Sequence, residues 1–332
     1  MFDLLNIDAY MIVFIDGKLS TKYSTLNNLI KPNIIYLKKN IINAESGNIK
    51  KYSGLIIYLK SNIKIKKPIY MLHISKKTKY KKNNLNLLFL VDKLIKIQIL
   101  EHYINKSKNK YINNVKIEMN LNENSNMAYF QLIALNKIDY ILSHIIVNQK
   151  KHSKCELTNI KIYSYYLHYN LEINLKDEYS KCNVLGLFYP KDKNFIKNNI
   201  IINHTNNFTQ SNVDYKGIIH ATGIFHCDIN IKKNINHIYG VQKNSNILLD
   251  NNPTIKTNPK LKIQSKDVIC KHKTIIGKIN EDYIFYLRTR GIQKFLAKTL
   301  ILLSFINEFL TKIEIKALKK YLCCSKFFCF KK

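Results

Sequence analysis

Arginine is nearly missing from this sequence. Of 54 basic residues in 332, 52 are lysine, and the two arginines, Arg288 and Arg290, fall in one short motif. Lys, Asn and Ile, the residues of A/T-only codons, crowd the rest of the chain, so lysine drift accounts for most of the +32 net charge. Base readout and tight phosphate contact favour arginine's planar fork, and the lysines are spread rather than gathered in a stripe. This argues against a specific nucleic-acid partner; weak sticking to polyanions at low salt is all the charge implies. Acids are scarce too, with 22 Asp and Glu in total and no tight cluster in the middle of the chain. That disfavours paired-carboxylate catalysis and acidic calcium sites.

Long apolar runs are also missing. The most apolar stretch, residues 295–310 (FLAKTLILLSFINEFL), carries Lys298, Asn307 and Glu308. It is shorter than the ~20 residues a membrane span needs. The opening, MFDLLNIDAYMIVFIDG, has no basic region and no small-residue cleavage site, so no signal peptide is read there. A cytoplasmic protein is expected. The seven cysteines (Cys155, Cys182, Cys227, Cys270, Cys323, Cys324 and Cys329) are odd in number, irregular in spacing and without a C-x-x-C. Neither a disulfide framework nor a zinc knuckle fits them. Cys323, Cys324 and Cys329 lie in a lysine-flanked tail with little preorganisation for a metal. His73, His102, His204, His220 and His226 form no H-x-x-x-H or H-E-x-x-H pattern.

Short runs alternating apolar and polar residues are abundant. Tyr10–Ile15 reads as a strand ending in an Asp16-Gly17 turn, and Leu55–Leu59 and Ile69–Ile74 read as two more. From Val115 to Ile279 the period is two almost throughout, as in IKIYSYYL, GIIHATGIFHCDINI and VICKH. Period two is the strand period. A sandwich, a barrel or a β-solenoid fits this mainly β region. The period then changes. Asn280 can cap a helix over 281–290, with Glu281 and Asp282 in its first turn and Gly291 after its end. A second helix is expected over 292–312 and a short third over 314–322. Leu302 and Phe309 lie on the apolar stripe of the second. The organisation expected is an N-terminal segment (1–110), a β core (111–279), a helical region (280–322) and a frayed tail (323–332).

One block carries an ordered signature. It runs through Gln242, Asn246-Ile247-Leu248-Leu249, Thr257-Asn258-Pro259-Lys260-Leu261-Lys262-Ile263, Asp267-Val268-Ile269-Cys270-Lys271-His272, Gly277, Asp282 and Phe285-Tyr286-Leu287-Arg288-Thr289-Arg290-Gly291. Upstream stand Asn203-His204, Ser211 and Tyr215-Lys216-Gly217-Ile218, and near the start VFIDGKLSTKYS. In this order the residues resemble the SufB/SufD family of iron–sulfur cluster assembly proteins. Gln242 is followed by Lys243 and Asn244, where SufB places a cysteine, and Cys270-Lys271-His272 has the SufD form. Lys273 and Thr274 replace the Gly-Ala that follows the family's histidine.

The resemblance implies a right-handed parallel β-helix core with C-terminal helices, and an N-terminal segment truncated relative to the family, beginning where its N-terminal helical region would end. It implies a non-enzymatic SufD-like subunit of a SufB–SufC–SufD scaffold. Such a subunit would pair with a SufB-like paralogue and dock a SufC-like ABC ATPase through its C-terminal helices. A transient iron–sulfur cluster would be shared with SufB, and a flavin in the complex is admitted. His272 becomes a candidate iron ligand, imidazole being suited to iron. Cys270, two residues away, shares its side of a strand and is either a co-ligand or a small packed hydrophobe. Arg288, Arg290, Leu302 and Phe309 are candidate interface or structural residues. Two other classes stand against this: a β-solenoid polysaccharide-active enzyme, which the acid shortage disfavours, and a basic nucleic-acid-binding protein.

Overall fold

A computed structural model describes residues 4–25, 34–38, 55–61, 65, 67–76, 81–105, 111–134, 139–162, 164–191, 193–249 and 253–324. Its first strands are β1 (Tyr10–Ile15), β2 (Lys18–Leu19), β3 (Ile34–Lys38), β4 (Leu55–Leu59), β5 (Ile69–Ser75), β6 (Lys81–Val91), β7 (Lys96–Asn105), β8 (Tyr111–Leu121) and β9 (Asn126–Ala134). Next come β10 (Tyr140–Gln149), β11 (Lys154–Ile162), β12 (Tyr166–Leu175), β13 (Lys181–Tyr189), β14 (Phe195–His204) and β15 (Gln210–Ile219). The strands close with β16 (Thr222–Ile231), β17 (Ile238–Leu248), β18 (Thr254–Ile263) and β19 (Val268–Lys278). Three helices follow: α1 (Glu281–Thr289), α2 (Lys294–Leu310) and α3 (Lys316–Cys324).

The strands wind into a parallel β-solenoid of about seven turns. Odd strands from β5 to β19 form one sheet, with β1 and β2 beyond β5; even strands from β4 to β18 form the other, with β3 beyond β4. Successive coils advance by 27 to 30 residues, so Cys155, Cys182, Ser211, Gly240 and Cys270 stack in one column. Alternation sends every second side chain into the tube. There Ile141, Ile145, Val147, Leu157, Leu171 and Ile200 are among the fully buried residues of a continuous core. The β reading of 115–279 holds, as a solenoid. Antiparallel pairing occurs only at β1–β2 and β3–β4 among the described strands.

Non-glycine residues turn one corner of six successive coils. Leu94, Asn124, His152, Tyr179, Phe208 and His237 all have φ between 55 and 63°. Such left-handed conformations cost roughly 1–2 kcal/mol each. Contacts between coils offset that cost. The Asn124 N–H donates to Lys151 O (3.0 Å) and the His152 N–H to Glu178 O (3.1 Å). The His152, Tyr179, Phe208 and His237 rings stack at 4.7–4.8 Å between centroids, which is the spacing of adjacent strands. Asparagine also ladders, on a strand face rather than at corners. Asn148, Asn174, Asn203 and Asn230 each donate to the preceding Asn of a column that starts at Asn120 (2.8, 3.3, 2.8 and 2.8 Å).

The outer face of the odd sheet is apolar and covered. Ile306, Phe309, Leu310, Ile313, Ile315, Leu318 and Leu322 of the helical region pack on a face that includes Phe130, Leu132, Ile160, Leu187 and Ile218. Charged groups clasp the same contact. Buried Lys216 donates to Phe305 O (2.9 Å) and pairs with Glu308, while Lys312 meets Asp214 Oδ2 at 2.6 Å. The cap on α1 is the one its sequence predicts: Asn280 accepts from the Asp282 N–H at 2.8 Å, and Gly291 lies at φ 82°. No helix among the described residues is long and apolar enough to cross a membrane.

Candidate functional site

The two candidate ligands lie on β19, the last strand of the odd sheet. Cys270 pairs in register with Gly240 of β17 and His272 with Gln242. Being two apart, they leave the same side of the strand. Cys270 faces the interior, packed with Ile229, Ile231, Ile235 and Ile238. Glycine at 240 makes room for it. A Cβ there would lie 3.1 Å from Cys270 Sγ and 3.6 Å from Ser211 Oγ. Partial burial pushes the Cys270 thiol up, and a hydrogen bond from the Gly240 N–H works against that shift. His272 stands exposed at the open end of the tube. Thiolate and imidazole are both groups that can ligate iron. No cluster of three or more His, Cys, Asp or Glu side chains with metal-binding geometry occurs among the described residues. The pair would therefore need its remaining ligands from outside these residues.

Beneath this coil lies a feature that patterning did not reveal. Gln242, Asn244 and Asn246 of β17 point inward and are 1%, 0% and 2% exposed. Among the described residues, neither the oxygen nor the nitrogen of any of the three amides has a hydrogen-bond partner. A buried polar group left this way costs about 1–3 kcal/mol. In register they lie under His272, Thr274 and Ile276 respectively. Asn246 Oδ1 sits over Gly217, only 2.2 Å from where a Cβ on that glycine would be. The sequence signal for the row was Gln242 within the ordered signature, read there as part of a pattern rather than as a contact.

Other polar groups in the tube are better partnered. His204 Nε2 is 2.8 Å from Ser211 Oγ and Nδ1 2.7 Å from Thr209 Oγ1, and burial lowers its pKa to about 4. Lys161 is wholly buried. It donates to Asn198 Oδ1 at 2.6 Å and lies 3.4 Å from the centre of the Tyr169 ring, and burial lowers its pKa well below the lysine range. Cys155, Cys182 and Cys227 are buried thiols pushed up by desolvation, Cys182 to about 12. They behave as small hydrophobes. Cys329 lies outside the described residues.

The remaining candidates divide. Arg288 and Arg290 are exposed near the end of α1. Arg290 lies 5.4 Å from the centre of the Tyr286 ring, and neither arginine pairs with Glu281 or Asp282. Leu302 and Phe309 are each 2% exposed, and Phe309 packs on the chain's own odd sheet. The outward apolar residues of this region are instead Tyr283, Phe285, Tyr286, Phe295, Leu296, Leu300 and Leu303. Ile263, Ile269, Ile275 and Ile276 extend the exposed apolar surface along β18 and β19. Among the described strands, both are paired on one side only.

Comparison with known proteins gives this geometry its context. The model of the family described as SUF system FeS cluster assembly, SufBD core domain, matches residues 73–305. The iron–sulfur cluster assembly protein SufD of Escherichia coli is 23% identical over 224 residues, covering 67% of this chain and 53% of the relative. An iron–sulfur cluster assembly SufBD family protein of Synechocystis is 24% identical over 278 residues, covering 80% and 61%. Protein ABCI7, chloroplastic, of Arabidopsis thaliana is 21% identical over 277 residues, covering 80% and 58%. The chain thus spans between half and two thirds of the length of these relatives. The match runs across the solenoid and into α2, and the chain belongs to the SufBD core family of iron–sulfur cluster assembly proteins.

Proposed function

We propose that this chain is a SufD-like, non-catalytic subunit of a cluster-assembly scaffold. The observation that carries the reading is the open terminal coil. A thiol and an imidazole share one side of β19, next to a strand edge whose backbone groups have no neighbour in the sheet. Such an edge is a template for pairing with another chain. A SufB-like solenoid added there would bring its own ligands to Cys270 and His272, and the growing cluster would be the cargo of that interface. The exposed apolar residues of α1 and α2, flanked by Arg288 and Arg290, offer the surface for a SufC-like ABC ATPase. The buried Leu302 and Phe309 would support that surface from beneath.

The test is co-expression with SufB- and SufC-like partners. His272→Ala should leave the complex assembled and sharply lower its iron and acid-labile sulfide. Cys270→Ser should do the same if the thiol is a co-ligand. Full iron loading in His272→Ala, or loss of assembly, would return His272 to a structural role. Paired substitutions Phe285→Glu and Leu300→Glu should abolish capture of the ATPase without altering the β circular dichroism signal.

A further inference from the structure

We infer that Gln242 is a positioning residue for His272: its buried amide oxygen accepts a hydrogen bond from one ring N–H and so holds the other ring nitrogen free to bind iron. The inference rests on the reading of His272 as a ligand. Three observations lead to it. Gln242 and His272 are direct register partners on neighbouring parallel strands, and their side chains leave the same side of the sheet. Adjacent strands run ~4.8 Å apart, so rotation about the glutamine's own torsions suffices to bring amide and ring together. Gln242 is 1% exposed, yet among the described residues both of its amide atoms lack a partner.

The chemistry selects the imidazole. The neighbours of Gln242 in its own column are Val213 on one side and His272 on the other. Valine offers no polar atom, so only the histidine can complete the amide along the column. A neutral imidazole has one N–H and one lone-pair nitrogen, and an amide oxygen that accepts the N–H decides which nitrogen is which. Metal-bound histidines commonly make this second contact, and removing it typically weakens metal binding 10- to 100-fold. Asn244 and Asn246 continue the row but are in register with Thr274 and Ile276 instead.

The experiment uses the full chain, labelled with ¹⁵N at histidine, with the His272 signals assigned by their loss in His272→Ala. The unaltered chain should show His272 in a single tautomer. Gln242→Leu should give a mixture, Gln242→Glu should restore the single form, and Asn246→Ala should change nothing. In the complex co-expressed with SufB- and SufC-like partners, which supply the remaining ligands, Gln242→Leu should weaken Co(II) binding about tenfold and Gln242→Glu should not. An unchanged His272 tautomer in Gln242→Leu, in a chain whose circular dichroism is intact, overturns the inference. A shifted tautomer with Co(II) affinity equal in the His272→Ala complex and the unaltered complex keeps the contact but removes the ligand role of His272.

Discussion

Two groups of polar side chains lie inside the same tube, and they are treated differently. Near its start, Glu101 is fully buried with both carboxylate oxygens engaged. Tyr103 donates at 2.6 Å, Gln131 at 2.8 Å, Tyr129 donates as well, and His73 Nε2 lies 3.0 Å away. Burial opposes ionisation of Glu101, but the His73 and tyrosine contacts outweigh it and hold the carboxyl below its usual range. Near the other end, three amides are equally buried and none is paired. A charge in a low-dielectric interior is tolerated only with a full set of partners. Neutral amides cost less when orphaned, so they can be kept where a contact is needed only in one state. The first group is a structural fixture, and the second lies against the coil that carries Cys270 and His272.

The sharpest way to break this contrast is to remove Glu101. Glu101→Ala leaves two tyrosine hydroxyls, the Gln131 amide and His73 in a dry core without their acceptor. Losing one member of a buried charged set costs on the order of 3–5 kcal/mol. Urea unfolding should show the loss as a lower midpoint. A cost below 1 kcal/mol would mean that the two groups do not differ.

Acid should act next on two buried histidines, His204 inside the tube and His102 between the outer face of the odd sheet and α3. His204 and His102 are neutral when folded, with burial holding their pKa near 4 and 3 against an ordinary 6.5. On acidification the unfolded chain takes up these protons first. The stabilisation is therefore complete above about pH 6.5 and is lost as pH falls toward 4. For His204 the shift corresponds to roughly 3 kcal/mol. The urea midpoint should drop between pH 7 and 4.5, and His204→Asn should flatten part of that drop. A flat profile in the unaltered chain would contradict the burial of both rings.

The repeating strands were legible because alternation in a two-sheet tube is a local property, written every second residue from Val115 onward. Asn280, Glu281, Asp282 and Gly291 marked α1 for the same reason. The corners were not legible. Left-handed turns are usually announced by glycine, and here Leu94, Tyr179 and Phe208 adopt them, with the next coil supplying a backbone hydrogen bond to Leu94 and Phe208 and a stacked ring to Tyr179 and Phe208. The burial of Lys161 and Glu101 was not legible, since nothing local distinguishes an inward lysine from the other 51. Leu302 and Phe309 lay on a recognisable stripe, but a stripe does not say whether it meets the chain's own sheet or a partner. Cys270 and His272 were found through an ordered signature. The amides beneath them became a feature only once the register was known.

The smallest expected effect sharpens the comparison from the other end. Asn244 sits between Tyr215 and Thr274 in its column, and neither amide atom is paired. Asn244→Leu removes two orphaned polar atoms and puts a side chain of similar shape in their place. Because no partner is stranded, the change should be near neutral or stabilising, within about 1 kcal/mol. The urea midpoint should hold or rise, and the His272 tautomer should stay as it is. A fall comparable to that of Glu101→Ala would show that the row is hydrogen-bonded in solution after all, through ordered water, and that it is as structural as the cluster around Glu101. An unchanged midpoint together with lost capture of the SufB-like partner would instead place Asn244 in the service of the interface, where an unpaired amide is worth its cost.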